Sequence, residues 1–150
     1  MFQCVRAAAQ HDNLRRFWLA ELPAMQNALI VEDLPESRTW LTGVVLAAFP
    51  ALRITTAARC DQALACVGQQ AVDLALIDLG LPDGDGSALA AWALAQQPDL
   101  QVAIASGMGS QDAAAGLART RALPKPFDMA ELISLLDAVR QTARGASLDD

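Results

Sequence analysis

The sequence predicts an α/β fold: a doubly wound (βα)5 domain on a five-stranded parallel sheet, with an extra helix at the N-terminus. Three observations carry this. Short apolar runs alternate with helix-period segments five times between residues 28 and 143. The runs are nearly continuous in apolar character, as in strands buried on both faces. At 150 residues and 53% hydrophobic content, the chain has side chain enough for one such core. Right-handed crossovers then place helices on both sides of the sheet.

Taken in order, residues 12–22, "DNLRRFWLAEL", form a helix with Leu14, Phe17, Trp18 and Leu22 on one face, and Pro23 stops it. "ALIV" (28–31) is the first strand. The helix at 35–48 presents Leu41, Val44, Val45 and Ala48. "LRITTA" (52–57) is the second strand, followed by a helix at 60–69. "VDLALID" (72–78) is the strongest strand signal, followed by a helix at 87–97. "LQVAIAS" (100–106) is the fourth strand, then a short helix near 111–118. A strand at 121–124 leads to the last helix, 128–143, with Leu132, Leu135, Leu136 and Val139 at i, i+3, i+4 and i+7. The expected divisions are an N-terminal extension at 1–24, a domain at 25–143 and a frayed tail at 144–150. Met25 is an alternative start, and the helix at 12–22 packs back on the domain or serves as a partner or dimer surface.

The net charge of −6 and pI near 4.6 argue against a nucleic-acid surface, which needs clustered Lys and Arg. Cys4, Cys60 and Cys66 are odd in number, with no C-x-x-C spacing, and suggest neither a disulfide framework nor a zinc site. A cytoplasmic location is expected, with no signal peptide and no apolar run long enough for a bilayer. "PDGDG" (82–86) reads as turn chemistry, its glycines supplying conformational freedom and Asp83 and Asp85 capping. Trp40 and Trp92 read as core or helix packing.

In an open parallel sheet, ligands bind at the carboxyl ends of the strands, where the strand order reverses. Strand one ends in Glu32-Asp33, strand three in Asp78, strand four in Ser106, and strand five runs into Lys125. With the flavodoxin-like order 2-1-3-4-5, strands one and three are neighbours, and Glu32, Asp33 and Asp78 share one small volume. Like charges that close raise one another's pKa unless a cation is present. Mg²⁺ suits one or two carboxylates with water in the rest of its shell, and the backbone carbonyl of Gly80 could supply another oxygen. Ser106 and Lys125, on the other side of Asp78, add a hydroxyl donor and a positive charge. The set suits a phosphoryl group bound on Asp78, since a carboxylate can accept phosphoryl covalently.

These segments resemble the receiver domain of two-component response regulators over roughly residues 27–140. "LIVEDLPESR" is similar to that family's acidic-pair segment, "LALIDLGLPDGDG" to its phosphoacceptor segment, "AIASGM" to its hydroxyl segment and "LPKPF" to its lysine segment. The resemblance implies that Asp78 is phosphorylated, that Asp33 binds Mg²⁺ directly and that Glu32 reaches it through water. It implies that Ser106 and Lys125 contact the phosphoryl oxygens, and that the Lys125-Pro126 bond is cis. The implied donor is a phosphohistidine on a sensor histidine kinase or a phosphotransfer protein, first met around the helix at 35–48. The domain would be a signalling switch, catalysing only its own phosphorylation and dephosphorylation, either alone, as a homodimer, or within a longer DNA-binding regulator. Two departures fall on its usual output face. Ala122 stands where an aromatic switch residue is usual, and the stretch from Ser106 to Lys125 is short by roughly one helical turn. The rivals are an aspartyl-phosphate phosphohydrolase of similar fold, which would want an acid-base aspartate where Gly80 stands, and a receiver-like interaction module that is never phosphorylated.

Overall fold

The computed structural model describes residues 25–106, 120–125 and 127–149. The helices expected at 12–22 and 111–118, and the Lys125-Pro126 bond, lie outside the described residues. So do Trp18, Phe17 and Leu14.

The described elements run β1 (Asn27–Val31), α1 (Pro35–Ala48), β2 (Arg53–Ala57), α2 (Cys60–Gln69), β3 (Leu74–Asp78), β4 (Gly80–Leu81), β5 (Gly84–Asp85), α3 (Gly86–Gln96), β6 (Gln101–Ser106), β7 (Thr120–Pro124) and α4 (Met129–Asp149). Five strands form one parallel sheet in the order β2-β1-β3-β6-β7. This is the predicted order 2-1-3-4-5 once the two short strands β4 and β5, which pair only with each other, are set aside. By compactness the chain divides into Met25–Val139, described below, and a second unit that takes Arg140–Asp150.

Strand parity builds two cores. Successive side chains on a strand point to opposite faces, so Leu29, Val31, Ala75, Ile77, Val102 and Ile104 pack on one side of the sheet against Ala63 and Val67 of α2 and Leu89, Ala90 and Ala93 of α3. Ala28, Ile30, Leu74, Leu76, Ala103 and Leu123 face the other way, onto Leu41, Val44 and Val45 of α1 and Leu132, Leu135, Leu136 and Val139 of α4. Of the apolar positions read from the periodicity of these two helices, Leu41, Val44, Val45, Leu132, Leu135, Leu136 and Val139 are buried and Ala48 is half-buried. Pro35 starts α1 at its first position, where a missing N–H costs nothing. Pro50 follows its end, as the residue before a proline resists the helical conformation.

Three expectations are refined. The last helix runs past 143 to Asp149, so 144–149 are helical. Its weakest residue there, Gly145, costs only about 1 kcal/mol against Ala, and residues 144–149 include no proline to break it. Of the two readings offered for Trp40 and Trp92, the core is excluded, since they are 38% and 36% exposed, and Trp40 packs from its helix onto Phe127. Residues 80–85 are a small antiparallel hairpin, with Gly80 opposite Asp85 and Leu81 opposite Gly84, and the predicted turn sits at its tip, at Pro82-Asp83. Among the described residues no helix is long and apolar enough to cross a membrane.

Candidate functional site

The parity that builds the core also assembles the site. Glu32 follows Ala28 and Ile30 in phase, Asp78 follows Leu74 and Leu76, and Lys125 follows Leu123, so all three lie at the carboxyl edge on the face that carries α1 and α4. β1 and β3 are adjacent, as the order requires, and Asp78 is the last residue of β3, opposite Ala105 of β6. Leu79 N–H donates to the Ala105 carbonyl at 2.9 Å, which carries the ladder one step past Asp78 and fixes its backbone.

One carboxylate oxygen from each of Glu32, Asp33 and Asp78 lies within 4.8 Å of the others. Glu32 and Asp78 are buried, with residual exposures of 4% and 7%. Lys125 Nζ donates to Asp78 Oδ1 at 2.8 Å, the sole charge-neutralising contact in the cluster among the described residues. One ammonium against three acidic groups leaves the cluster short of positive charge. The strain shows at Glu32, whose pKa is pushed up to about 7, first by burial and then by the nearby Asp78 charge and by Asp33. A hydrogen bond from Leu34 N–H to Glu32 Oε2, 3.2 Å, and the charge of Lys125 act the other way. A hard, oxygen-seeking divalent cation fits this donor set.

Two openings adjoin the cluster. A void of about 20 Å³ beneath Asp78, bordered by Leu76, Ala103, Ala105, Leu123 and Phe127, has room for about one water. A wider cleft of about 500 Å³ is lined by Glu32, Ser37, Trp40, Leu41, Lys125 and Phe127. Trp40 and Phe127 meet across it, ring centroids 6.0 Å apart and tilted by 44°.

The structure thus gathers Glu32, Asp33, Asp78 and Lys125. Ser106 ends β6 one step beyond Ala105, in register with Pro124. Gly80 lies on β4, two residues past Asp78, and Ala122 lies half-buried in β7.

The aspartates after Asp78 are structural, as their turn chemistry suggested. Asp85 caps α3, its Oδ1 accepting from Ser87 N–H at 3.1 Å and its Oδ2 from the Ser87 hydroxyl at 2.9 Å. Asp83 caps a helix that is remote in sequence: it accepts from Cys60 N–H at 2.7 Å and Asp61 N–H at 3.2 Å at the start of α2, where Arg59 offers no cap of its own. Those amide bonds, that of Cys60 foremost, hold its pKa below the usual carboxylate range. Asp83→Ala is therefore expected to speed hydrogen exchange at the Cys60 and Asp61 amides several-fold while leaving α3 amides unchanged; unaltered exchange at both would refute the cap.

Sequence reading missed Gly86. A Cβ there would lie 2.5 Å from the Asp78 carbonyl oxygen and 2.8 Å from Leu79 Cα, so α3 starts pressed against the backbone that carries Asp78. The signal was present as the last glycine of "PDGDG", but the close approach belongs to the tertiary fold.

A family model described as the response regulator receiver domain matches residues 28–137. The chain is 34% identical over 119 residues to the transcriptional activator protein PfeR of Pseudomonas aeruginosa, covering 77% of this chain and 38% of PfeR. It is 32% identical over 114 residues to the response regulator protein PilR of the same organism, covering 74% of this chain and 25% of PilR. The chain therefore spans well under half the length of either relative. Among solved structures, the receiver domain of NtrX from Brucella abortus matches with a TM-score of 0.66 at 28% identity, covering 77% of this chain and 98% of that domain.

Proposed function

Because the chain belongs to the response regulator receiver domain family, we propose that Asp78 is its phosphoacceptor in a Mg²⁺-dependent transfer from a phosphohistidine. The observation that carries this is the cluster itself: Asp78, buried at the switch point of the sheet, held by Lys125 at 2.8 Å and backed by Glu32 and Asp33. A receiver domain is a switch component, and nothing in the cluster is arranged as a general base. None is required, because an ionised carboxylate is already a nucleophile.

In the proposed step an Asp78 oxygen attacks phosphorus, the new O–P bond forms as the donor's P–N bond breaks, and the electron pair leaves with the imidazole. Lys125 Nζ, held by Asp78 Oδ1 before transfer, neutralises charge on the phosphoryl oxygens as it arrives. Ser106, at the end of β6, is the hydroxyl donor to the same oxygens. Asp33, Asp78 and the Gly80 carbonyl, with Glu32 through water, would hold Mg²⁺, which would supply charge neutralisation at the site when bound. The donor is a sensor histidine kinase or a phosphotransfer protein that approaches over the start of α1.

Beryllofluoride, which mimics a phosphoryl group on a carboxylate, tests the reading without any donor protein. With Mg²⁺ and beryllofluoride together, wild type is expected to shift the amide NMR resonances of Glu32–Leu34 and Lys125; with either alone, or with Asp78→Asn, the full shift is absent. An unshifted wild-type spectrum overturns the reading.

A further inference from the structure

We propose that Arg38 is a positioning residue for the divalent cation, acting through the backbone of the acidic pair without touching the ion. The inference rests on the reading of Glu32, Asp33 and Asp78 as a cation site. Arg38 Nη1 donates to the Glu32 carbonyl at 2.8 Å and to the Asp33 carbonyl at 3.2 Å, so one guanidinium nitrogen clamps two successive peptide groups. Those are the two residues that carry carboxylates into the site.

The rest of the β1–α1 turn is tied down around this clamp. Glu32 N–H donates to the Ala57 carbonyl of β2 at 2.9 Å, and Leu34 N–H folds back onto Glu32 Oε2 at 3.2 Å. The next residue, Pro35, has no N–H to contribute. Arg38 is itself held, its carbonyl accepting from the Thr42 hydroxyl at 2.7 Å. A cation four residues into a helix opposes the helix dipole, and its placement is explained here by carbonyls that need a donor. Partners that orient metal ligands, without being ligands, typically set metal affinity by 10–100-fold.

Position and charge make opposite predictions. A guanidinium beside an acidic cluster opposes cation binding by Coulomb repulsion alone, so removing it should tighten binding if charge were its only effect. If the clamp matters, removal loosens the turn and weakens binding. Arg38→Met removes both charge and clamp, whereas Arg38→Lys keeps the charge but carries its nitrogen one bond short of the Nη1 that reaches both carbonyls.

The experiment is calorimetric titration of the full chain with Mg²⁺, for wild type and both variants, with circular dichroism and the Leu34 amide exchange rate measured without the ion. Both variants are expected to keep the fold, to exchange the Leu34 amide faster and to bind Mg²⁺ more weakly, the Met variant by roughly tenfold. Tighter binding by the Met variant, or equal affinity in all three proteins, overturns the proposal. If wild type binds no Mg²⁺, the cation-site reading itself fails, and the proposal with it.

Discussion

Gly86→Ala is expected to lower folding stability by about 3 kcal/mol, at the upper end for overpacking. Alanine is normally the better helix residue, by up to about 1 kcal/mol over glycine, so at an open position the substitution would stabilise. Here the added Cβ meets backbone, 2.5 Å from the Asp78 carbonyl oxygen and 2.8 Å from Leu79 Cα. Backbone in a parallel ladder cannot swing aside as a flexible side chain can. Leu79 N–H is bonded to Ala105 and Gly86 N–H to the Leu79 carbonyl, at 2.9 and 3.0 Å, so relief must come from moving α3 or the end of β3. Either movement reaches Asp78, and misplacement by about 1 Å can cost two orders of magnitude in rate. Urea denaturation together with the rate of modification by acetyl phosphate checks both effects. A stabilised, fully active Gly86→Ala would show that α3 has slack that the packing denies.

Glu32→Gln is expected to stabilise the cation-free protein at neutral pH and to weaken Mg²⁺ binding. The Glu32 carboxyl titrates near 7 in the fold, against an ordinary value of 4.5, chiefly because it is buried and secondly because it faces Asp78. Between those values the folded chain holds a proton that the unfolded chain has released. The contribution of this group is thus fully present below about 4.5 and is lost as pH rises through about 7. Gln removes that slope, and at pH 8 the gain is on the order of 3 kcal/mol, each pKa unit being worth about 1.4. Mg²⁺ reverses the comparison, since it favours the charged carboxylate; with saturating Mg²⁺ wild type should be the more stable, and its affinity should fall below pH 7 as Glu32 takes up its proton. Melting temperatures of both proteins from pH 5 to 8, with and without Mg²⁺, check this. Parallel pH profiles in the absence of the ion would contradict it.

Both predictions turn on contacts that are unequally visible in the chain. β1, β3 and β6 were legible because each is a short, nearly unbroken apolar run, and the faces of α1 and α4 because Leu41, Val44, Val45 and Leu132, Leu135, Leu136, Val139 recur at helical spacing. Once the strand order is set, the meeting of Glu32, Asp33, Asp78 and Lys125 follows from which residue ends each strand, and three carboxylates at strand ends are conspicuous. Hairpin β4–β5 was not legible, since two-residue strands carry no periodicity. The cap that Asp83 places on α2 joins residues 22 and 23 apart, so local turn chemistry could say that it caps but not what. Gly86 and Arg38 are the same case. A glycine's purpose is a neighbour that only the fold supplies, and an arginine whose partners are backbone carbonyls leaves no partner residue type to look for. Trp40 and Trp92 fit apolar helical positions, but hydrophobicity does not distinguish a buried face from its rim.

The proposed phosphoacceptor role of Asp78 is tested most directly by mass mapping of the purified chain after incubation with acetyl phosphate and Mg²⁺. Wild type should gain a single phosphoryl group, localised to the peptide that contains Asp78, and should gain none when Mg²⁺ is withheld or when Asp78 is replaced by Asn. A wild-type chain that stays unmodified, or a phosphoryl group that persists in Asp78→Asn, would contradict it.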